Sequence, residues 1–577
     1  MQHKKNARNK RCINIFLLST AAIPALAVAN PDALILADNN QALAAWQQSA
    51  DGTAQPELVK QADGGTKIEW HGGVTLNKYV TSASGGTLQT PQTSGSYYNA
   101  QISSDLRATS PDGDTSFAQV SLTNSNDRAV LSQYPTQINS LVVGRAGPGY
   151  QMSFGDTALT LSQLAGSLGG MRGFLAQKQF GSSTIVSGAA GVLSPSWEAL
   201  EGVVPRTQFL RNAYAAKVET KWGESTQLFL IQEGYSDDQS SLDSSASLLM
   251  PASASVTTTG FGYQKDSLNV TGEVGASRWQ ESGQTEHSSL AYVLDARWTQ
   301  QYYGLYGGHH DTGLYYTSLA GQAAPGLKET FVGGNWTAAS WLGLNLDLRR
   351  SENKLAGSLP NGQTTVNTSR TDAVTTQENI TFGQKLPGLN LALQQSVSNG
   401  MNSDGGGNKT TGFGVNTQYS GQSWNGGVGY NLNKVANPSA VGLSAKTATW
   451  TYSLGRNFMG EPGATGPAWM ASMNASVNVQ RYMPDSGGST SNQNFNLQLH
   501  LQRDRWGMFD ANYGEGYISS PVGGAQVRTR TYSVSATHPF GQQSSIRFYL
   551  SNNGNIAGAP DQVYSTRQVG AELVYKL

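Results

Sequence analysis

From Trp469 to Gln502 the chain alternates apolar and polar side chains with a period of two. Trp469, Ala471, Met473, Ala475, Val477 and Val479 are interleaved with Met470, Ser472, Asn474, Ser476, Asn478 and Gln480. Phe495, Leu497, Leu499 and Leu501 are likewise interleaved with Asn496, Gln498, His500 and Gln502. Successive side chains of a strand point to opposite faces, so these runs describe a sheet with an apolar medium on one side and water on the other. Leu342, Leu344, Leu346 and Leu348 repeat the pattern against Gly343, Asn345, Asp347 and Arg349, as do Ala448, Trp450, Tyr452 and Leu454 against a Thr/Ser face. Segments of about 10 residues with this alternation are the signature of a transmembrane β-barrel. We read roughly 26 of them between residues 67 and 577, give or take about four because boundaries drift by several residues. The expected fold is all-β, a large closed antiparallel transmembrane β-barrel. A soluble sandwich also alternates, but its strands are shorter and its exposed face carries more Lys and Glu.

The punctuation between strands falls into two kinds. Leu386-Pro387-Gly388, Arg505-Trp506-Gly507 and Ser340-Trp341 are tight and suit periplasmic turns. Ser236 to Ser253, Gly357 to Thr371, Asn399 to Lys409 and Pro484 to Gln493 are longer, rich in Gly, Ser, Asn and Thr, and suit extracellular loops. Trp341, Trp424, Trp469, Trp506, Tyr302 and Tyr303 stand near strand ends. They are expected to form an interfacial girdle rather than a sugar-stacking track inside the barrel.

Composition supports a membrane barrel that is reached by export. Gly makes up 67 of 577 residues and charged residues only 13%, as expected when half of each strand is polar but uncharged. Residues 1–29 read as a signal peptide, with a basic start through Lys4, Lys5, Arg8, Lys10 and Arg11, an apolar core from Ile13, and Ala27-Val28-Ala29 before the cut. No run reaches the ~18 apolar residues of a helical span, so strands must cross the membrane and close on themselves. The one cysteine, Cys12, lies inside the signal, which excludes disulfides and thiolate chemistry from the exported chain. Lys and Arg number 38 and Asp and Glu 38, so loss of the five basic signal residues leaves a mildly acidic protein with no nucleic-acid partner expected. Residues 30–66, with Leu36, Leu43 and Trp46 at helical spacing, read as a periplasmic or lumen-facing helix and linker. That segment is either an ordered tail or a plug or docking handle for a periplasmic or lumenal partner.

One region breaks the rhythm. From Arg145 to Phe180 a Leu/Gly/Ser stretch runs between Phe154-Gly155-Asp156 and Met171-Arg172-Gly173-Phe174. It could form an inward-folded loop that narrows the pore, with Asp156 and Arg172 as candidate constriction residues. The Gly-Asp followed by Arg-Gly beside an aromatic is similar to the barrels of fimbrial ushers, which export pilus subunits. That likeness covers a small part of the chain, the family's flanking domains have no room here, and its function is not carried over.

The last strand carries a second resemblance. Gln568-Val569-Gly570-Ala571-Glu572-Leu573-Val574-Tyr575 matches the polar-x-Gly-x-x-hydrophobic-x-aromatic pattern that outer-membrane proteins of Gram-negative bacteria present to their barrel-assembly machinery. The chain therefore resembles the outer-membrane β-barrel class over nearly all of its length after the signal. The resemblance implies Gly570, Leu573, Tyr575 and Leu577 as the assembly signal, with Leu577 in place of the commoner Phe or Trp. It also implies outer-membrane lipid and lipopolysaccharide as surroundings.

Candidate chemistry is sparse. His309-His310 with Asp311 is the one tight histidine group, and adjacent strand residues point to opposite faces, so the two imidazoles cannot easily share one ion. No phosphate loop, His-Glu-x-x-His or Gly-x-Ser-x-Gly occurs, and no cofactor, metal or catalytic residue is expected. The expected pore lining is Asn, Gln, Ser and Thr, with Asn474, Asn478, Asn496 and Gln498 as examples. Separated charges interrupt it at Asp295 and Arg297, Asp347 and Arg349, and His500 and Asp504. Such a lining gives weak charge selection, because strong selection needs a ring of one sign. The leading expectation is an outer-membrane channel or conduit for a solute, a polysaccharide or an exported polypeptide. The alternatives are a structural sheath around a partner such as an electron-conduit cytochrome, and an outer-membrane enzyme.

Overall fold

The computed structural model describes residues 60–61 and 65–576 apart from 86–92, 129, 132–133, 205, 207, 243–249, 319–323, 359–363, 383–385, 404–405, 438–443, 461–468, 504–505, 520–525, 542 and 559–562. Residues 1–29, read above as a signal peptide, most of the segment 30–66, Asp504 and Leu577 lie outside the described residues.

Twenty-six antiparallel strands, from Lys67–Gly85 to Tyr564–Lys576, form one closed barrel. Each strand pairs with its sequence neighbours. The last pairs with the first from Gly73↔Lys576 to Gly85↔Tyr564, so no sheet edge is left along that seam. The architecture is that of an outer-membrane β-barrel. A two-residue strand, Lys60–Gln61, precedes the barrel and pairs with Lys67 and Ile68.

The alternation is realised as read. Trp469, Met473, Phe495, Leu499, Leu501, Tyr452 and Leu454 stand exposed on the outside. Ser472, Asn474, Gln498 and His500 line a groove on the inside. The tight connections at 340–341 and 386–388, and Trp506 just before strand Gly507–Ser519, fall on the rim that also holds both barrel termini, and the longer ones fall on the opposite rim. Those longer loops are shorter than their composition suggests. Strands Leu342–Ser358 and Thr364–Thr381 pair as far as Ser358↔Thr364, because a Thr/Ser/Asn run is as good a strand as a loop once both of its neighbours are strands. The six aromatics read as a girdle are all exposed, and all lie at the terminal rim.

Candidate functional site

The lumen is the candidate site, and its wall has three kinds of sector. The first is set by the segment that breaks the sequence rhythm, which is a β-hairpin of strands Tyr150–Ser162 and Gly166–Phe180. Only its lower half belongs to the wall. Pairing with strand Thr136–Gly147 runs from Gly147↔Tyr150 and stops at Val142↔Gly155, and pairing with strand Thr184–Leu193 stops at Met171↔Leu193. Beyond these pairs the hairpin turns into the lumen. Gly155 permits the turn: its φ is 116°, and a Cβ there would overlap the Leu141 carbonyl oxygen.

The turn strands backbone donors of Thr136–Gly147, and two carboxylates meet them. Asp156 accepts from Leu141 N at 2.7 Å, and Glu198 accepts from Ile138 N at 2.7 Å. Glu198 is delivered by a one-turn helix, Trp197–Leu200, whose N-cap Ser196 accepts from Ala199 N at 3.1 Å. Asp156 also accepts from Trp197 Nε1 at 2.9 Å and pairs with Arg172 at 3.3 Å, its cross-strand partner. Arg172 lies 5.5 Å over the Trp197 ring and donates to the Ser194 carbonyl. Asp156 and Arg172 thus sit together at the root of the hairpin, against the wall.

The hairpin packs flat on the inner wall of the next six strands. Leu159, Leu161, Ala165, Leu168 and Met171 are buried against Ala189, Ala213, Ala215, Ile231, Tyr235 and Ala254. At the tip, Leu164 is buried among Val256, Ala291, Val293 and Tyr316. Large side chains on the hairpin face small ones on the wall, the arrangement that lets two layers interdigitate without voids. Glu273 fastens the tip, accepting from the Ser162 hydroxyl and from Leu164 N at 3.2 Å. The other face of the hairpin, with Ala158, Thr160, Gln163 and Gly169, is open to the lumen. The expectation of an amide and hydroxyl lining therefore needs correction in this sector, where the wall is covered and mainly apolar, with Ser187, Glu233, Thr258, Glu273 and Ser277 buried among the apolar groups.

The second sector holds the charged residues singled out from the sequence. Asp295 and His310 meet at 2.8 Å, Arg349 reaches Glu329 at 3.1 Å and Asp347 at 3.8 Å, and Tyr306 donates to Asp347 at 2.9 Å. Arg349 also lies 5.0 Å over the Phe331 ring. Arg297 stands exposed opposite Tyr306. Asp295, Asp347 and Arg349 thus belong to compensated clusters rather than standing as the separated groups expected. His309 points outward to Tyr292 and Thr330, so the two neighbouring imidazoles do lie on opposite faces. Among the described residues no group of three or more metal-ligating side chains converges.

The third sector spans the strands from Gly407–Ser420 through Tyr564–Lys576. Register sets Asn425, Gly455, Asn474, Gln498, Asn512, Ser533, Ser551 and Gln568 in one continuous cross-strand row. Asn478 faces Asn494, and Asn496 faces Ser476, in the rows above. His500 pairs with Asp510 at 2.7 Å, a partner the sequence reading missed. A groove of about 740 Å³ lies along this wall, lined by Asn77, Asn99, Asn474, Gln498 and Arg547 among others.

Gly570, Leu573 and Tyr575 lie in the closing strand, with Tyr575 exposed on the outer face. The residues that sequence reasoning missed are Trp197, Glu198, Glu273 and Tyr316. The available signal was the recurrence of Ala at lumen-facing positions 189, 213, 215, 254 and 291, where a wet wall would carry polar side chains.

No family model matches the chain, and no curated protein matches it. Solved structures similar to it include OpdK from Pseudomonas aeruginosa, at 12% identity over 61% of this chain and 99% of that one, with a TM-score of 0.27. The P pilus usher (PapC) translocation pore is similar at 11% identity over 88% of this chain and 99% of that one, TM-score 0.33. The siderophore receptor PirA from Pseudomonas aeruginosa is similar at 10% identity over 88% and 80%, TM-score 0.36. At these scores none of them says what this chain carries.

Proposed function

We propose that this protein is a passive outer-membrane conduit for a hydrated, largely uncharged solute or polymer, with a polysaccharide as the best chemical match. The observation that carries the reading is the neutral row from Asn425 to Gln568, which offers amide and hydroxyl partners to hydroxyl groups without holding ions. Size is consistent with it. Twenty-six strands about 4.8 Å apart, tilted by about 40°, give a wall about 160 Å around, or about 50 Å across if circular. A hairpin one layer thick against one side takes about 10 Å of that width, so it narrows such a lumen without closing it. A sheath around a permanent partner would present an apolar contact surface. Here the apolar sector is already covered by the protein's own hairpin.

Single-channel recording in a planar bilayer, combined with swelling of liposomes in neutral oligosaccharides, tests the reading. Large steps, a reversal potential near zero in a salt gradient and sugar uptake are expected. A silent protein in correctly inserted form would sink the conduit and return weight to a filled barrel.

A further inference from the structure

The outer face of four adjacent strands carries a feature that the lumen does not explain. Lys409, Lys434, Lys446 and Arg481 stand near the upper ends of Gly407–Ser420, Trp424–Ala436, Ala445–Gly460 and Trp469–Pro484, all on the outward parity and all exposed. Lys434 and Lys446 are direct cross-strand partners, an arrangement that is destabilising unless an anion lies between them. Lys409 lies two rows above that pair and Arg481 two rows below, since Lys409 faces Ala436 and Arg481 faces Ala448. Barrel tilt staggers level positions by about one residue per strand, so the offset brings all four cations to one height.

The flanking sectors handle their outward cations differently. On one side Lys328 pairs with Asp311 at 3.2 Å, and Arg350 and Arg370 pair with Asp372 at 2.6 and 2.9 Å. On the other side Arg528 pairs with Glu515. Among the described residues none of the four cations has such a partner. The nearest acid in sequence is Asp485, in the loop just beyond Pro484.

Their height gives them a physical neighbour. The same strands carry Tyr419, Trp424 and Trp469 at the terminal rim, with Arg456 4.6 Å over Trp424. Ten residues separate Trp424 from Lys434 and Tyr419 from Lys409, and twelve separate Trp469 from Arg481. At about 3.3 Å per residue and a tilt of about 40°, that is a rise of about 25–30 Å, one apolar band. Phe413, Val428, Tyr452, Leu454 and Met473 fill the interval. With the aromatic girdle at one interface, the four cations lie at the headgroup level of the other.

We propose that Lys409, Lys434, Lys446 and Arg481 form a binding site for the phosphate groups of a phosphorylated lipid headgroup in the leaflet at the loop rim, a phosphorylated glycolipid fitting four cations best. The site rests on the membrane-spanning reading of the barrel. Charge-assisted contacts to phosphate oxygens would relieve the Lys434–Lys446 repulsion and fix this side of the barrel among its lipids.

The test compares the full chain with the quadruple variant K409Q/K434Q/K446Q/R481Q and with a control, K328Q/R350Q, whose cations are already paired. Each is reconstituted into zwitterionic vesicles with and without a bis-phosphorylated glucosamine-disaccharide lipid, and bound lipid is counted by native mass spectrometry. The native chain and control should retain the phosphorylated lipid, and the quadruple variant should bind it at least about tenfold more weakly. Equal retention by all three, or by none, overturns the site. Displacement by millimolar inorganic phosphate alone would show a free-anion site and overturn the lipid assignment. Flotation of each protein with its vesicles is scored separately. A chain that does not insert refutes the membrane reading itself, whereas insertion without selective retention refutes only the site.

Discussion

The two long walls of the lumen are built on the same backbone and use their inward positions in opposite ways. Between strands Thr184–Leu193 and His287–Thr299 the wall presents mainly small and apolar side chains, and the chain covers them with its own hairpin. From Trp424–Ala436 onward it presents amides and hydroxyls, and among the described residues no hairpin packs over them. A strand in a barrel specifies only which residues face inward. What those residues are decides whether the inner face stays wet or becomes a core.

Five variants break or sharpen that contrast. The largest effect is expected from Leu168→Asp, which buries a carboxylate between the hairpin and the covered wall. Burying an unpaired charge costs roughly 3–5 kcal/mol. Heat-modified mobility on gels should drop by many degrees, and channel current should become noisy as the hairpin lifts; an unchanged melting profile would show that the hairpin is not packed as described. Next comes Ala215→Leu, which overfills the space beneath the hairpin and should cost about 1–3 kcal/mol. Its counterpart Ser476→Leu on the polar wall should leave stability nearly unaltered, and equal losses for the pair would erase the distinction between the walls.

Glu273→Ala leaves the Ser162 hydroxyl and the Leu164 amide without their acceptor, a cost of about 1–3 kcal/mol for a buried donor. Cysteine pairs placed at the tip and on the open lumen should then crosslink faster, which hydrogen exchange at residues 160–168 can corroborate. The smallest stability effect belongs to the triple change Asn474→Asp, Asn478→Asp and Asn496→Asp, expected within about 0.5 kcal/mol per site. Its consequence should appear in permeation, with the reversal potential moving toward cation preference. No movement would mean that this wall does not border the conducting path.

Strand parity was legible wherever the wall separates lipid from water, because those two media impose a period of two on the strand. Met473 outside and Asn474 inside needed nothing beyond their neighbours. Rim assignment was legible too, since Ser340-Trp341 leaves no room for a loop. The hairpin was visible only as an interruption. Its register slips twice, between Thr157 and Leu159 and between Thr160 and Ser162, which scrambles the local period. Its fastening joins Ser162 to Glu273, groups no local pattern relates. The charged residues could be assigned a parity from the sequence, but their partners lie on neighbouring strands, as with Arg349 and Glu329. Pairing across strands depends on register, which one sequence does not print.

The seam between the first and last strands carries a different lesson, about time. Every other pairing in the wall joins neighbours in sequence and can form as a local hairpin. The closing pairs, such as Leu76↔Leu573, join residues nearly the whole chain apart, so their loop-closure entropy is met once, after the rest is in place. Gly570 belongs to that step, because a Cβ there would collide with Tyr549 and with Tyr79 of the opposing strand. Until the two meet, the growing sheet has two raw edges that would pair with any other strand offered. The stretch that resembles an assembly signal is thus also the last tooth of the zip. A catalyst that gripped it would hold one of the two raw edges until its partner arrived.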